Sequence, residues 1–128
     1  MQYTTINDAA EATNNKGYEP GRTRIWYARP EKTRDLGVGH DFCFKKGLLP
    51  SRANLEATHI LVGAISATDP EAIFDLMQGE RWSPSGQARS LITKLGLHHT
   101  SMSVGDVVQI LDDTFFVDRD GFVLLDGR

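Results

Sequence analysis

The chain has 128 residues with a formal net charge of −3, and 40% of the residues are hydrophobic. This length suits one domain with its own core and excludes two full domains. The lone Cys43 excludes an internal disulfide, and no apolar run approaches the ~20 residues of a membrane span. The first residues also lack the basic and apolar regions of a signal peptide. We therefore expect a cytoplasmic protein without a membrane segment.

The charges are unevenly distributed along the chain. Residues 1–52 contain nine Lys or Arg and six Asp or Glu, whereas residues 53–128 contain five and eleven. This asymmetry indicates either a basic binding surface in the first part or two regions that attract each other within one fold. Local pairing of solvated charges favours the second interpretation.

The predicted domain spans residues 1–128, with residues 1–21 as a peripheral segment and residues 22–128 as the core. The first segment favours a short helix from Asn7 to Asn14, whose alanines offer little surface to bury. A break at Gly17 and a loop at Pro20 follow.

Three strands are predicted next along the chain. Arg22 to Arg29 is aromatic and β-branched and stops before Pro30, which cannot continue a strand ladder. Asp41 to Phe44 alternates polar and aromatic residues and predicts a second strand. Ile60 to Ile65 is too short for a typical helix and predicts a buried strand in the middle of the sheet.

Two helices are predicted after these strands. The first opens with Asp69 as N-cap and Pro70 at the first helical position, or at the overlapping capping box that begins one residue earlier, and it ends at Gly79. The second opens between residues 83 and 85 and ends at Gly96.

The last part of the chain predicts a three-stranded meander. Val104 to Leu111, Thr114 to Asp118 and Phe122 to Leu125 are rich in strand-forming residues and are separated by acidic and glycine-containing turns. The expected fold is therefore α+β: a mostly antiparallel sheet with a C-terminal β-meander and two or three short helices packed on one face.

Neither a metal site nor an active site is assigned from the sequence. The adjacent His98 and His99 would point to opposite faces of a strand, and no paired ligand spacing exists, so we expect no metal and no cofactor. His99, Asp106 and Cys43 would be the residues of a small hydrolase or transferase. Neighbours on one strand do not converge on a reacting atom, so this enzyme remains an alternative and no catalytic residue is named.

A second alternative is a weak binder of single-stranded nucleic acid. On a strand, Arg22, Arg24 and Trp26 share one face, which suits base stacking flanked by phosphate contacts. Against it, Trp26 could be buried, and the acidic remainder of the chain would repel phosphates.

The leading hypothesis is a non-enzymatic module that binds another protein. Arg81 and Trp82 fall in a predicted loop between the two helices. An exposed tryptophan beside an arginine has the composition of a binding hot spot. The sequence therefore predicts a protein-protein contact at this loop.

The order of the elements resembles the YodL-like domain family. Two segments carry most of the resemblance: Ser-Met-Ser-Val-Gly-Asp-Val-Val at 101–108 and Val-Asp-x-x-Gly-Phe at 117–122, within a match over 24–125. Leu55 stands where the family has tyrosine, and 78–97 is longer than the family pattern. The motif residues are Ser101, Ser103, Gly105, Asp106, Asp118, Gly121 and Phe122.

The resemblance implies a cytoplasmic accessory protein encoded on a plasmid, phage or integrative element. Its partner would be a host or element-encoded protein, and no cofactor or catalytic set is implied. The motif also has a structural interpretation: Val104 and Val108 alternate into a core, Gly105 permits a close approach and Asp106 caps a backbone turn.

Overall fold

The computed structural model describes residues 2–125, which form five strands and six short α-helices together with three single-turn 3₁₀ segments. The strands are β1 (Thr23–Ala28), β2 (His59–Ile65), β3 (Val107–Ile110), β4 (Asp113–Asp118) and β5 (Gly121–Leu125). The helices are α1 (Asp8–Thr13), α2 (Thr33–Leu36), α3 (His40–Lys46), α4 (Pro70–Leu76), α5 (Gly79–Trp82) and α6 (Arg89–Lys94). None of these helices has the length and apolar character that crossing a membrane requires.

The strands form one antiparallel sheet in the order β2-β1-β3-β4-β5. The predicted α+β class, the antiparallel sheet and the C-terminal meander β3-β4-β5 are confirmed. The position predicted for β2 is wrong, because β2 lies at one edge and β3 is in the middle. An apolar run in the sequence indicates that side chains are buried, but it does not indicate how many neighbouring strands there are. Val62 and Ile65 of β2 are buried, although the outer side of β2 has no partner strand among residues 2–125.

The larger core lies on one face of the sheet, under α1, α4, α5 and α6. It includes Ile25 of β1, Val108 of β3 and Val117 of β4. The expectation that 1–21 is peripheral is wrong, since this core also contains Tyr3, Ile6, Ala9 and Tyr18, all fully buried. The sequence obscured this because the four residues are spread over a segment that is otherwise polar.

The other face of the sheet is covered in part by α2 and α3. Leu36 and Cys43 pack there against Ala28, Phe116 and Leu125. The helices therefore lie against both faces, whereas the sequence predicted two or three on one face.

The strand predicted over Asp41 to Phe44 is instead helix α3. The helix turns Cys43 inward and leaves Phe44 exposed. Asp41 and Lys45 form an exposed i,i+4 ion pair of 3.1 Å, and Gly47 ends the helix in the left-handed conformation. These helix signals span seven residues, and a four-residue alternation is too short to outweigh them.

The two predicted helices form as α4 and α6, but α6 begins at Arg89, later than the predicted start between residues 83 and 85. Asp69 caps α4 by accepting a 3.2 Å bond from the Ala72 N–H, and Pro70 is at the first position. Gly96 follows α6 with φ +76°. Gly79, predicted as a terminator, instead opens α5, which was expected to be a loop.

Candidate functional site

A groove of about 640 Å³ lies over the part of the second sheet face that α2 and α3 leave open. Its floor is formed by β1, β2 and β3, and the hairpin between β3 and β4 forms one end. The lining residues are Gly21, Arg22, Arg24, Ala64, Gln109, Leu111 and Asp112. Arg22 and Arg24, two of the predicted binding residues, therefore lie in the same groove.

Arg24 lies in β1, and Arg22 immediately precedes this strand. Arg24 is opposite Ala64 of β2 and Gln109 of β3. Arg22 comes one residue before Thr23, which pairs with Ile110 at the end of β3 next to the hairpin loop. Both arginines are exposed, and neither takes part in a salt bridge among residues 2–125. The groove thus presents two guanidinium groups that are available to an anionic ligand.

Leu111 is at the end of this groove and has an unusual backbone conformation. It is the first residue of the two-residue loop between β3 and β4, with φ +56°, and 64% of it is exposed. A positive φ is unfavourable for a branched side chain, and glycine is the usual residue at such hairpin positions. Strained residues persist where the structure over-determines them, often at binding sites. Leu111 was predicted as the last residue of a strand, so its place in the hairpin loop was missed from the sequence.

Trp26 shares the sheet face with Arg24 as predicted, but its side chain is buried and does not line the groove. Only 8% of it is exposed, and it packs against Leu55 and Val107. Its indole Nε1–H donates a 2.7 Å bond to the Gln109 side-chain oxygen. The predicted use of Trp26 as a stacking platform is therefore wrong, because its ring faces are not accessible to a base.

The predicted hot spot at Arg81 and Trp82 is also wrong. Trp82 is fully buried, stacks on Tyr3 at 6.1 Å and donates a 3.1 Å bond from its indole to the Thr100 carbonyl. Arg81 is exposed and forms a 2.9 Å ion pair with Asp75. Because the expected loop is helix α5, packed against α1, the tryptophan belongs to the core.

The motif at 101–108 makes structural contacts through Ser101, Gly105 and Asp106, whereas Ser103 is exposed. The prediction that Val104 packs into a core is wrong, because Val104 lies before β3 and is only partly buried. Buried Asp106 accepts 2.8 Å bonds from the N–H groups of Ala28 and Ser103, so it caps the turn that enters β3, as predicted. Gly105 has φ +98° and approaches Leu36 so closely that a Cβ would lie 2.8 Å from the leucine Cβ. The Ser101 hydroxyl accepts a 2.7 Å bond from the Gly79 N–H.

The closing motif forms the hairpin between β4 and β5. Asp118 accepts bonds from the His40 N–H at 3.1 Å and the Arg119 N–H at 2.9 Å. Gly121 opens β5 with φ +99°, and Phe122 packs edge-on against Phe74 at 6.4 Å. These three motif residues thus hold the hairpin and α3 in place.

The residues of the hydrolase or transferase hypothesis are only partly brought together. His99 Nε2 lies 3.2 Å from Asp106 Oδ2, and its ring stacks on Tyr27 at 4.6 Å. Among residues 2–125, Asp106 is the only hydrogen-bond partner of His99, so no hydroxyl or thiol is in position as a nucleophile. Cys43 is buried in the other core, where desolvation raises the pKa of its thiol.

His59 forms a second buried polar contact near Asp106. Its Nε2–H donates a 2.8 Å bond to the Gly105 carbonyl, and its Nδ1 lies 2.7 Å from the Thr58 hydroxyl. Within the described part of the chain, no group of three or more His, Cys, Asp or Glu residues is arranged to hold a metal ion.

Comparison with family models, curated proteins and solved structures finds no match for this chain. The resemblance to the YodL-like family therefore stays a prediction made from the motifs at 101–108 and 117–122.

Proposed function

We propose that this protein is a non-enzymatic protein-interaction module that binds an acidic segment of a partner in the groove beside Arg22 and Arg24. The observation that carries the proposal is the pair of exposed arginines, free of salt bridges in the described chain, on an open sheet floor. Guanidinium groups bind carboxylates through charge-assisted, often bidentate hydrogen bonds.

Leu111 supplies an apolar contact at the end of the same groove. Its side chain is mostly exposed although its backbone conformation disfavours leucine. The ligand best suited to this combination is a peptide segment that carries acidic residues together with one apolar side chain. Arginine and apolar anchors together are typical of protein interfaces.

Single-stranded nucleic acid fits the groove less well. Binding without sequence preference uses aromatic rings on which bases stack, and Trp26 is buried with its indole N–H already bonded.

The experiment is a fluorescence-anisotropy titration of the full chain with two labelled probes. One probe is a short peptide of aspartate and glutamate residues around a single leucine, and the other is an oligothymidine. We expect the peptide to bind. The double variant Arg22→Glu/Arg24→Glu should weaken it at least about tenfold, since lost hydrogen bonds to charged groups cost roughly 1.5–3 kcal/mol each.

A matched control has the same change in net charge elsewhere. Arg34→Glu/Arg52→Glu alters two exposed arginines outside the groove and should leave peptide binding unchanged. An equal loss of peptide affinity in both double variants would show that the binding depends only on long-range charge. Tight binding of oligothymidine with no binding of the peptide would replace the proposal with the nucleic-acid alternative.

The accessory role in a bacterial mobile element is the cellular part of this proposal, and its support is the sequence resemblance. Genes of a plasmid, phage or integrative element next to the coding sequence would support it. A position among unrelated chromosomal genes would argue against it.

A further inference from the structure

A second groove, of about 480 Å³, follows the β5 edge of the sheet, opposite the β2 edge. Its lining consists of His40, Phe44, Leu49, Pro50, Ser51, Val123, Leu124 and Leu125. Successive residues of a strand point to opposite faces, so a groove lined by residues 123, 124 and 125 runs along the outer edge of the strand. Phe44 and Leu124 are 66% and 49% exposed there.

The edge strand β5 lacks three of the features that commonly protect an exposed edge, namely charged residues, proline and a bulge. Its sequence Gly-Phe-Val-Leu-Leu has no charged residue and no proline, and its register with β4 is continuous from Gly121 to Leu125. No strand among residues 2–125 pairs with its outer side. Regular, apolar edges of this kind are templates for pairing with another strand.

The opposite edge of the sheet, formed by β2, is less regular than the β5 edge. The register of β2 against β1 shifts between Ile25 and Trp26, which marks a bulge in that ladder. Bulges disturb a ladder and disfavour further pairing. The two edges therefore differ in their capacity to accept a strand, and β5 is the regular one.

The chemistry of the groove determines what can occupy it. Its lining contains no Asp, Glu, Lys or Arg, and the nearby Asp41 and Lys45 on α3 are already paired with each other at 3.1 Å. A charged segment would find no counterion in this lining. The complementary occupant is an extended, uncharged, apolar strand that offers a free edge of its own.

The protein itself presents such a strand at this edge. We propose that two copies associate about a two-fold axis by antiparallel pairing of their β5 strands, so that each β5 lies along the groove of the other copy. The arrangement is isologous and closed, because each copy supplies both strand and groove. Leu124 and Phe44 of both copies would be covered, and the sheet would continue across the axis.

The dimer would leave the arginine groove open. That groove is formed by β2, β1 and β3, away from the β5 edge. The inference is therefore independent of the proposed function, and each can fail without the other. One short strand and one aromatic side chain per copy form a small interface, so we expect a dimer that dissociates at micromolar concentrations.

The experiment is sedimentation equilibrium of the full chain from micromolar to millimolar concentration. The mass should rise from 14.2 kDa toward twice that value as the concentration increases. Leu124→Lys places a charge on the pairing edge and should weaken association at least tenfold. Phe44→Glu, on α3 and outside the strand, should weaken it in the same direction.

Leu61→Lys is the matched control, because Leu61 is a half-exposed leucine on the other edge strand, β2. It should associate like the wild type. Circular dichroism and urea unfolding confirm that each variant is folded, which partial exposure of all three positions favours. A wild type that stays at 14.2 kDa throughout would overturn the inference. So would a dimer lost in Leu61→Lys and kept in Leu124→Lys, or growth beyond two copies.

Discussion

The indole of Trp26 donates a 2.7 Å hydrogen bond to the side-chain oxygen of Gln109, and this bond joins β1 to β3 at a residue that lines the groove beside Arg22 and Arg24. The amide nitrogen of Gln109 in turn donates a 3.3 Å bond to the Thr114 hydroxyl on β4. The amide oxygen and the amide nitrogen of Gln109 are therefore both hydrogen-bonded, and they hold the side chain in place on the floor of the groove.

Gln109→Leu should destabilise the fold, because it leaves the buried indole N–H of Trp26 without an acceptor. We expect a loss of about 1–3 kcal/mol in the free energy of unfolding, measured with urea. Gln109→Glu is the control, since its carboxylate can still accept the indole bond. Similar destabilisation in both variants would show that the bond contributes little.

Trp82 should matter for stability and not for binding. Trp82→Ala opens a large cavity in the main core and should cost about 3–5 kcal/mol in thermal or urea unfolding. Trp82→Phe retains an aromatic ring against Tyr3 and loses the indole bond to Thr100. A folded Trp82→Phe variant that no longer binds the acidic peptide would contradict the buried role of this residue.

Gly105→Ala should be more destabilising than Gly47→Ala. Both glycines have a positive φ, +98° and +69°, so both substitutions strain the backbone by about 1 kcal/mol. At Gly47 a Cβ would meet nothing within 4 Å, whereas at Gly105 it would meet Leu36 at 2.8 Å. The close contact should add about 1–3 kcal/mol. Equal unfolding midpoints would show that the chain near Leu36 moves away without cost.

Asp106→Asn should destabilise the entry to β3. The carboxylate accepts bonds from two backbone N–H groups and lies 3.2 Å from His99 Nε2, and an amide has only one acceptor oxygen. We expect a loss of about 1–3 kcal/mol in urea unfolding. Asp112→Asn, at an exposed position, should stay within about 0.5 kcal/mol of the wild type. A neutral effect at Asp106 would argue that water replaces the lost bonds.

Acidification should weaken the fold through His59. Burial lowers the pKa of this ring below its ordinary value of 6.5, and the nearby Arg29 also lowers it. The bond to the Gly105 carbonyl and the nearby Asp106 carboxylate raise the pKa, but burial outweighs them. Well above pH 6.5 the imidazole is neutral in both the folded and the unfolded chain, so its contribution to stability is constant there. As the pH falls from 6.5 toward the lower folded pKa, the unfolded chain binds the proton first, and the free energy of unfolding decreases.

The measurement is urea unfolding of the wild type and of His59→Gln at a series of pH values on both sides of 6.5. The difference between the two proteins should shrink on acidification, because only the wild type loses stability through this ring. A difference that is independent of pH would show that His59 titrates alike in the folded and unfolded chains.

Much of the fold could be predicted because local signals suffice for it. The start of α4 at Asp69 and Pro70, the end after α6 at Gly96 and the meander β3-β4-β5 depend on residues adjacent in the chain. The prediction failed for the residues whose role depends on whether the side chain is buried. A sequence shows that Trp82 and Trp26 are large and apolar with one polar atom, and such residues suit a core and an interface equally.

Only part of the candidate site could be predicted from the sequence. Arg22 and Arg24 were identified because a strand period of two places them together. Gln109 and Leu111 are more than 80 residues away, and only the pairing of β1 with β3 brings them beside the arginines. That pairing is a non-local choice among strands of similar composition.

The sequence by itself determined the α+β class, the antiparallel meander, the approximate start of α4 and the turn at Asp106, since each follows from short-range hydrogen bonding and side-chain periodicity. The tertiary structure alone decided which edge β2 occupies, that the N-terminal segment joins the core, and which aromatic residues are exposed. The physical reason is that apolar burial is shared among all elements at once. Whether a given tryptophan faces solvent or a neighbour depends on which strands and helices cover it.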